Sequence, residues 1–238
     1  MIAVESLSEQ RVITALRDGA NKLKLIVWDI DSSGNFQRKG DASAEVVNAV
    51  AITRLGPNRV VTAVQTTSGK LKVIVWDVSA NGTITRKSEA SAGRVTRVGI
   101  VSEETVLTVI RDNVGNLKGI LWDVNADTGE IVRSADRVAH TVNNIATDGS
   151  FMMAVRDSDS KLQLCSWQRS DFTFIPDGEI ILSHGDAGSG GTITNLAISS
   201  VNTIDNGSER IFRWATSVRT QSGKLKIIVW TRSVAIPA

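Results

Sequence analysis

The chain repeats one strand-like segment at nearly regular intervals. The clearest copy reads KLKVIVWDV and runs from Lys70 to Val78. Its centre is apolar at consecutive positions, which is typical of a strand buried on both faces. Related copies surround the anchor tryptophans Trp28, Trp76, Trp122, Trp167 and Trp230. A segment that occurs five times predicts a repeat architecture in which neighbouring units stack on one another.

The spacing of the anchors defines the length of the unit. Consecutive anchors lie 48, 46, 45 and 63 residues apart, so the last unit carries an insertion. Short turns divide each unit into strands; in the second unit they are Gly-Pro-Asn at 56–58, Ser-Gly at 68–69 and Asn-Gly at 81–82. Short turns join antiparallel strands, and a four-stranded meander of about 47 residues is typical of a β-propeller blade.

We therefore expect an all-β fold, a five-bladed β-propeller that forms a single domain over residues 1–238. The blades would span roughly 1–45, 46–93, 94–140, 141–190 and 191–238. The strands of the second blade would be Val46–Leu55, Arg59–Thr66, Lys70–Val78 and Thr83–Ser91. The last blade is irregular: either Ser233–Ala238 forms a short fourth strand, or the blade has three strands.

Composition restricts the classes of function. The 27 basic and 25 acidic residues leave a net charge of +2, so we expect no nucleic-acid partner. The single cysteine, Cys165, excludes an intrachain disulfide, and its place in a strand copy predicts a buried, unreactive thiol. No apolar run approaches the roughly 20 residues of a membrane span, and the first residues lack the pattern of a signal peptide. We expect a soluble protein without cofactor or metal, either secreted or cytoplasmic.

Two resemblances follow from the repeat. Its strand ends in Trp-Asp at 28–29, 76–77 and 122–123, which resembles a WD repeat, although the Gly-His element of that family is absent. The number and near identity of the units resemble the tachylectin-type five-bladed lectins. That resemblance implies carbohydrate binding, and it carries no ligand residues onto this sequence.

The polar ends of the repeated strands supply candidate binding residues. If the turn at 68–69 and its equivalents have two residues, cations of neighbouring strands face each other, which is unfavourable without a partner. The facing cations would be Arg17 with Lys24, Arg111 with Lys118, and Arg219 with Lys226, whereas in the second repeat Lys72 would face Gln65. The candidate binding residues are Arg17, Lys24, Lys72, Arg111, Lys118, Arg219 and Lys226. The partner would be solvent, a carboxylate of the next blade, or an anionic ligand such as an acidic sugar or a phosphate group.

Two-residue turns at 33–34 and 81–82, and a turn one residue longer at 127–129, predict ion pairs across the following hairpin. The pairs are Asp29 with Arg38, Asp77 with Arg86, and Asp123 with Arg133. We interpret them as structural pairs worth about 0.2–1 kcal/mol each, with a groove for ligands as the alternative.

Aromatic side chains offer a second kind of site. The five anchor tryptophans share a strand face with apolar residues, so we expect them to pack between blades. Trp214 lies outside the repeat pattern and is the candidate for an exposed platform on which a sugar stacks.

No catalytic signature stands out. Five-bladed propellers also include glycosidases, which need paired carboxylates on inner strands, where this sequence offers little beyond Glu5. Other acidic or metal-binding candidates lie in turns and are Glu103, Glu104, Asp148, His184 and Asp186. The preferred hypothesis is a multivalent carbohydrate-binding lectin with repeated sites between blades. The alternatives are a WD-like scaffold that binds a protein partner and a five-bladed glycosidase.

Overall fold

The regular structure of the described residues consists of β-strands. The structure, a computed structural model, describes residues 2–102, 105–147, 152–168, 173–176, 193–205 and 209–235. Within them it contains sixteen strands and no helix. The first eight are β1 (Ile2–Ser8), β2 (Arg11–Arg17), β3 (Lys22–Ile30), β4 (Phe36–Gly56), β5 (Arg59–Thr66), β6 (Lys70–Val78), β7 (Ile84–Ser102) and β8 (Val106–Asp112). The others are β9 (Asn116–Val124), β10 (Ile131–Thr147), β11 (Met152–Asp157), β12 (Leu162–Gln168), β13 (Thr173–Pro176), β14 (Ile193–Asp205), β15 (Glu209–Thr220) and β16 (Leu225–Ala235). The prediction of an all-β fold is confirmed.

The strands pair as an antiparallel meander. Strands β1 to β13 are hydrogen-bonded in sequence order, and β14 to β16 form a separate three-stranded sheet. The hairpins β2–β3, β5–β6, β8–β9, β11–β12 and β15–β16 mark the first to fifth repeats. In the second repeat, β5 and β6 have the predicted bounds.

Long strands link one repeat to the next. Strand β4 pairs with β3 through its first half and with β5 through its second half, so one continuous strand belongs to two neighbouring sheets. Strand β7 does the same between β6 and β8. We expected a break between the strand that ends at Ser91 and the strand that follows it. The backbone instead stays extended through 92–93, because the chain changes its pairing partner there without reversing direction.

The hairpin turns within the repeats have three residues, not two. In the second repeat the Gly69 N–H donates to the Thr66 carbonyl at 2.9 Å, and Gly69 has a φ of 78°. Gln65 consequently lies opposite Leu71 rather than opposite Lys72. The equivalent positions in all five repeats have positive φ and are Asn21, Gly69, Gly115, Ser160 and Gly223. A three-residue turn that ends in this conformation is a common hairpin type, and one extra residue moves the facing side chain to the other face of the sheet.

A polar side chain at the start of each turn holds it closed. Its oxygen accepts a hydrogen bond from the backbone N–H four residues later, at 2.8–3.1 Å. The acceptors are Asp18, Thr66, Asp112, Asp157 and Thr220. Aspartate and threonine fill this role because their short side chains reach back to the local backbone.

The chain divides into two compact units, Met1–Val138 and Ala139–Ala238. In the N-terminal unit, the sheets of successive repeats pack face to face. Val60, Val64 and Ile74 pack against the first repeat, whereas Val61 and Val73, on the opposite face, pack against the third. Strands β5 and β6 are therefore apolar on both faces because each face contacts another repeat. No helix that could cross a membrane occurs in the described part of the chain.

The tryptophan anchors share one hydrogen bond. Trp76 Nε1 donates to Thr62 Oγ1 at 2.9 Å, and the anchors at 28, 122 and 230 donate to the threonine 14 residues earlier in the same way. Trp76 and Trp122 are 2% and 0% exposed, which confirms that they pack between repeats. The anchors at 28 and 230 are half-buried, and the side chain at 167 lies outside the described residues.

Two further sequence predictions concern the C-terminal unit. Cys165 is buried, as predicted. Trp214 is also buried, at 7% exposure, where it packs among apolar residues and stacks on Phe212 with 5.9 Å between ring centroids. The expectation that Trp214 forms an exposed platform is therefore wrong. Its position on β15 opposite Trp230 places it inside the layer formed with the fourth repeat.

The fifth repeat has three strands among the described residues. Residues 233–235 continue β16 and pair with β15 instead of turning back as a fourth strand. Leu225, Ile227 and Val229 of β16 are 74%, 63% and 37% exposed. The equivalent side chains of the second repeat are fully buried, so among the described residues this face of β16 is more exposed than its counterpart on β6.

Candidate ligand-binding clefts

Two clefts of about 760 and 550 Å³ lie in the N-terminal unit. The first cleft is lined by Leu7, Ser8, Gln10, Arg11, Asp29, Ile30, Asp31, Asn35, Phe36, Gln37, Pro57 and Asn58. The second cleft is lined by Leu55, Gly56, Pro57, Asn58, Arg59, Asp77, Val78, Ser79, Thr83, Thr85, Val124 and Ala126. Nine positions of the first cleft recur 48 residues later in the second. The clefts are therefore two copies of one feature of the repeat.

An arginine–aspartate ion pair lies in the wall of each cleft. In the first cleft Arg11 Nε donates to Asp29 Oδ1 at 2.6 Å, and Nη2 donates to Oδ2 at 3.1 Å. Arg59 and Asp77 form the same bidentate pair in the second cleft, at 2.7 and 3.3 Å. The pairs are half-buried, with arginine side chains 20% and 15% exposed. The hydrogen bond from Arg11 lowers the pKa of Asp29, since it stabilises the charged carboxylate.

Each arginine also contacts the next repeat. Arg11 donates to the carbonyls of Ser79 and Ala80 at 3.2 and 2.8 Å. Arg59 donates in the same way to the carbonyls of residues 125 and 126, at 3.1 and 2.6 Å. The guanidinium groups thus join consecutive repeats, and in the second cleft Arg59 connects its own repeat to Ala126, a lining residue of the next repeat.

Arg11 and Arg59 are not among the binding residues predicted from the sequence, although the sequence carries a signal for them. Arg11 and Arg59 each open their strand 18 residues before the aspartate they bind, in the matching segments RVITA and RVVTA. In the third repeat, Thr105 stands 18 residues before Asp123, where the first two repeats have an arginine. The arginine–aspartate pair is therefore not repeated there.

The predicted partners of the aspartates are wrong in the first two repeats. Arg86 lies opposite Trp76 rather than opposite Asp77, and its guanidinium stands 5.9 Å from the centroid of the Trp76 ring. Arg38 likewise lies opposite Trp28 rather than opposite Asp29. The cause is a three-residue turn at 80–82 and at 32–34, where we expected two residues, because the extra residue moves each arginine one position along the facing strand.

The displaced arginines have other carboxylate partners. Arg38 pairs with Asp41 three residues later, and Arg86 pairs with Glu89 at the same spacing. Arg133 of the third repeat, which we expected to face Asp123, pairs with Asp136.

The predicted cation pairs also fail to face each other. Arg17, Arg111 and Arg219 lie opposite leucines, because the turns have one residue more than expected. The lysines that we expected opposite these arginines point instead to the other face of the sheet. They are Lys24, Lys118 and Lys226. Arg17 Nε donates to Asn21 at 2.7 Å, and Arg111 donates to Thr96 at 2.9 Å.

Carboxylates accompany the lysines of the first three repeats. Lys24 lies 3.2 Å from Asp41, and Lys118 contacts Asp136. Lys72 lies 2.7 Å from Glu45 and 3.0 Å from Glu89. Asp41 and Asp136 belong to the same repeat as the lysines they contact, whereas we expected a carboxylate of the next blade. At Lys72, Glu45 comes from the preceding repeat and Glu89 from the same one.

Glu45 connects the second repeat to the strand that precedes it. Its carboxylate contacts Lys72 at 2.7 Å and Arg86 at 3.3 Å. Burial opposes the charge on Glu45, but the hydrogen bond from Lys72, a backbone hydrogen bond and the charge of Arg86 together outweigh burial and lower its pKa. Through Arg86, this network lies beside Trp76, which packs against the first repeat.

The remaining carboxylate of the sequence analysis, Glu5, lies on β1. Burial raises the pKa of Glu5, and Arg54 partly opposes this effect. The other turn candidates, Glu103, Glu104, Asp148, His184 and Asp186, lie outside the described residues.

Comparisons with known proteins identify the fold. No protein-family model matches the chain, and no curated protein matches it. A mutant of AofleA from Arthrobotrys oligospora matches with a TM-score of 0.57 and 12% identity, over 96% of this chain and 70% of that one. The SapL1 lectin in complex with α-methyl fucoside matches with a TM-score of 0.56 and 14% identity, over 95% and 78%. At such identities the likeness concerns the fold alone, a lectin-like β-propeller.

Proposed function

We propose that the protein is a non-catalytic carbohydrate-binding lectin that binds glycans in the two equivalent clefts. The observation that carries the proposal is the recurrence of nine lining positions 48 residues apart, with the same arginine–aspartate pair in both walls. A similar fold in the SapL1 lectin supports it. We further propose a five-bladed propeller, on the count of five hairpin repeats along residues 1–238.

The lining of the clefts suits a hydroxylated ligand. Beside the ion pair, the second cleft presents Asn58, Thr83 and Thr85, and the first presents several side-chain amides. Amides and hydroxyls both donate and accept hydrogen bonds, as sugar hydroxyls do. Two sites on one chain would raise the overall affinity for a surface that displays many copies of a glycan.

In the first test, α-methyl fucoside and a panel of neutral and acidic glycosides are titrated against the whole chain. Binding is measured by calorimetry or ligand-observed NMR. Asn58 lines both clefts, so Asn58→Ala should weaken binding at least about threefold. Asn113→Ala, in an exposed hairpin turn outside both clefts, is the matched control. Absence of binding across the panel would refute the proposal and favour the hypothesis of a scaffold that binds a protein partner.

A further inference from the structure

The two clefts share a framework and differ at their rims. The shared part is the arginine–aspartate pair with its apolar neighbours. At the rim of the first cleft lie Gln10, Asp31, Asn35 and Gln37, whose counterparts 48 residues later are Asn58, Ser79, Thr83 and Thr85. The first cleft therefore has longer polar side chains and the larger volume, about 760 against 550 Å³.

Phe36 is the most distinctive difference. It lines the first cleft and is 64% exposed. The equivalent Ile84 of the second repeat is half-buried against the apolar core, and Ile131 of the third is 5% exposed. A core position in two repeats is thus an exposed aromatic residue at the cleft in the first repeat. An exposed aromatic ring offers a flat apolar surface to a ligand.

The charged groups of the first cleft are already compensated within the protein. Arg11 forms four hydrogen bonds, two with Asp29 and two with carbonyls of the second repeat. Asp29 also lies 3.7 Å from Lys39. Asp31 accepts hydrogen bonds from the backbone N–H groups of residues 33 and 35 at 2.8 and 2.9 Å. An acidic sugar would therefore have to displace an internal ion pair, whereas a neutral sugar would not.

We propose that the first cleft is the stronger of the two sites and selects a neutral pyranose whose apolar face stacks on Phe36. The amides of Gln10 and Gln37 would bind the hydroxyls at the edge of the sugar ring, and Asn35, whose Nδ2 donates to Asp31 at 3.0 Å, would accept through its amide oxygen. The second cleft lacks the aromatic surface and binds the same sugar more weakly. This inference rests on the proposed function, because it names the class of glycan and the residue that selects it.

The experiment compares Phe36→Ala with the wild-type chain in calorimetric titrations of neutral and acidic methyl glycosides. We expect the Kd of the stronger site to rise at least tenfold in Phe36→Ala and to return towards the wild-type value in Phe36→Trp. Val132→Ala, at an exposed apolar position outside both clefts, should bind as the wild type does. Thermal unfolding of each variant checks that the fold is retained.

The outcomes separate this inference from the proposed function. If the wild-type chain binds a glycan and Phe36→Ala binds it equally well, the role of Phe36 is refuted while the glycan-binding proposal stands. Tighter binding of acidic than of neutral glycosides would likewise overturn the inference. If the wild-type chain binds no glycan, the proposed function itself fails.

Discussion

Arg59 connects the second repeat to the third, and its contacts, which we call the clamp between repeats, should contribute measurably to stability. Its guanidinium makes two hydrogen bonds to Asp77 and two to carbonyls of the third repeat, and the side chain is 15% exposed. An exposed ion pair contributes about 0.2–1 kcal/mol, and a hydrogen bond from a charged donor about 1.5–3 kcal/mol when buried. Lys87, 3.8 Å from Asp77, partly compensates the carboxylate that Arg59→Ala would leave. We therefore expect Arg59→Ala to cost about 2–3 kcal/mol.

The assay is urea unfolding followed by tryptophan fluorescence, with thermal unfolding as a second measure. For a chain of this length, the loss corresponds to a fall in Tm of roughly 4–12 °C. A double-mutant cycle with Asp77→Asn isolates the ion pair, for which we expect a coupling of about 1 kcal/mol. Arg94→Ala, at an exposed position on β7, is the control and should cost less than about 0.5 kcal/mol. If Arg59→Ala costs no more than this control, the clamp between repeats does not stabilise the fold.

Two further predictions concern acid stability and a turn. Since the folded-state pKa of Asp29 is lowered, its pair with Arg11 should stabilise the protein above the unfolded pKa of about 3.9 and stop doing so as the pH falls through the lowered value. In acid titrations monitored by circular dichroism, Asp29→Asn should lose less stability than the wild type over this range, and an identical profile would contradict the assignment. Gly82 has a φ of 90°, and an added Cβ would lie 2.5 Å from the Cβ of Lys39, whereas at Gly69, with a φ of 78°, it would meet open space. Gly82→Ala should therefore lower the Tm clearly more than Gly69→Ala, and equal losses would show that the contact between repeats is not tight.

The binding candidates show how local information led to errors. The Ser-Gly at 68–69 fits a two-residue turn as well as the end of a three-residue turn, and the choice decides which residue faces Gln65. The Thr66 side chain and the positive φ of Gly69 favour the longer turn in the structure. Because the turn has one residue more than expected, Lys72 lies opposite Val64 and not opposite Gln65. A turn of the same length places Thr85, and not Arg86, opposite Asp77.

The sequence by itself determined the strands and their repetition. Consecutive apolar residues in Lys70–Val78, bounded by turn residues, specify a strand buried on both faces, because those signals are local and recur in every repeat. Tertiary structure alone decided the partners of the charges and the walls of the clefts. Arg11 binds carbonyls 68 and 69 residues away, and Phe36 is exposed where Ile84 is packed. These contacts depend on how one repeat stacks on the next, which the spacing of residues within one repeat does not specify.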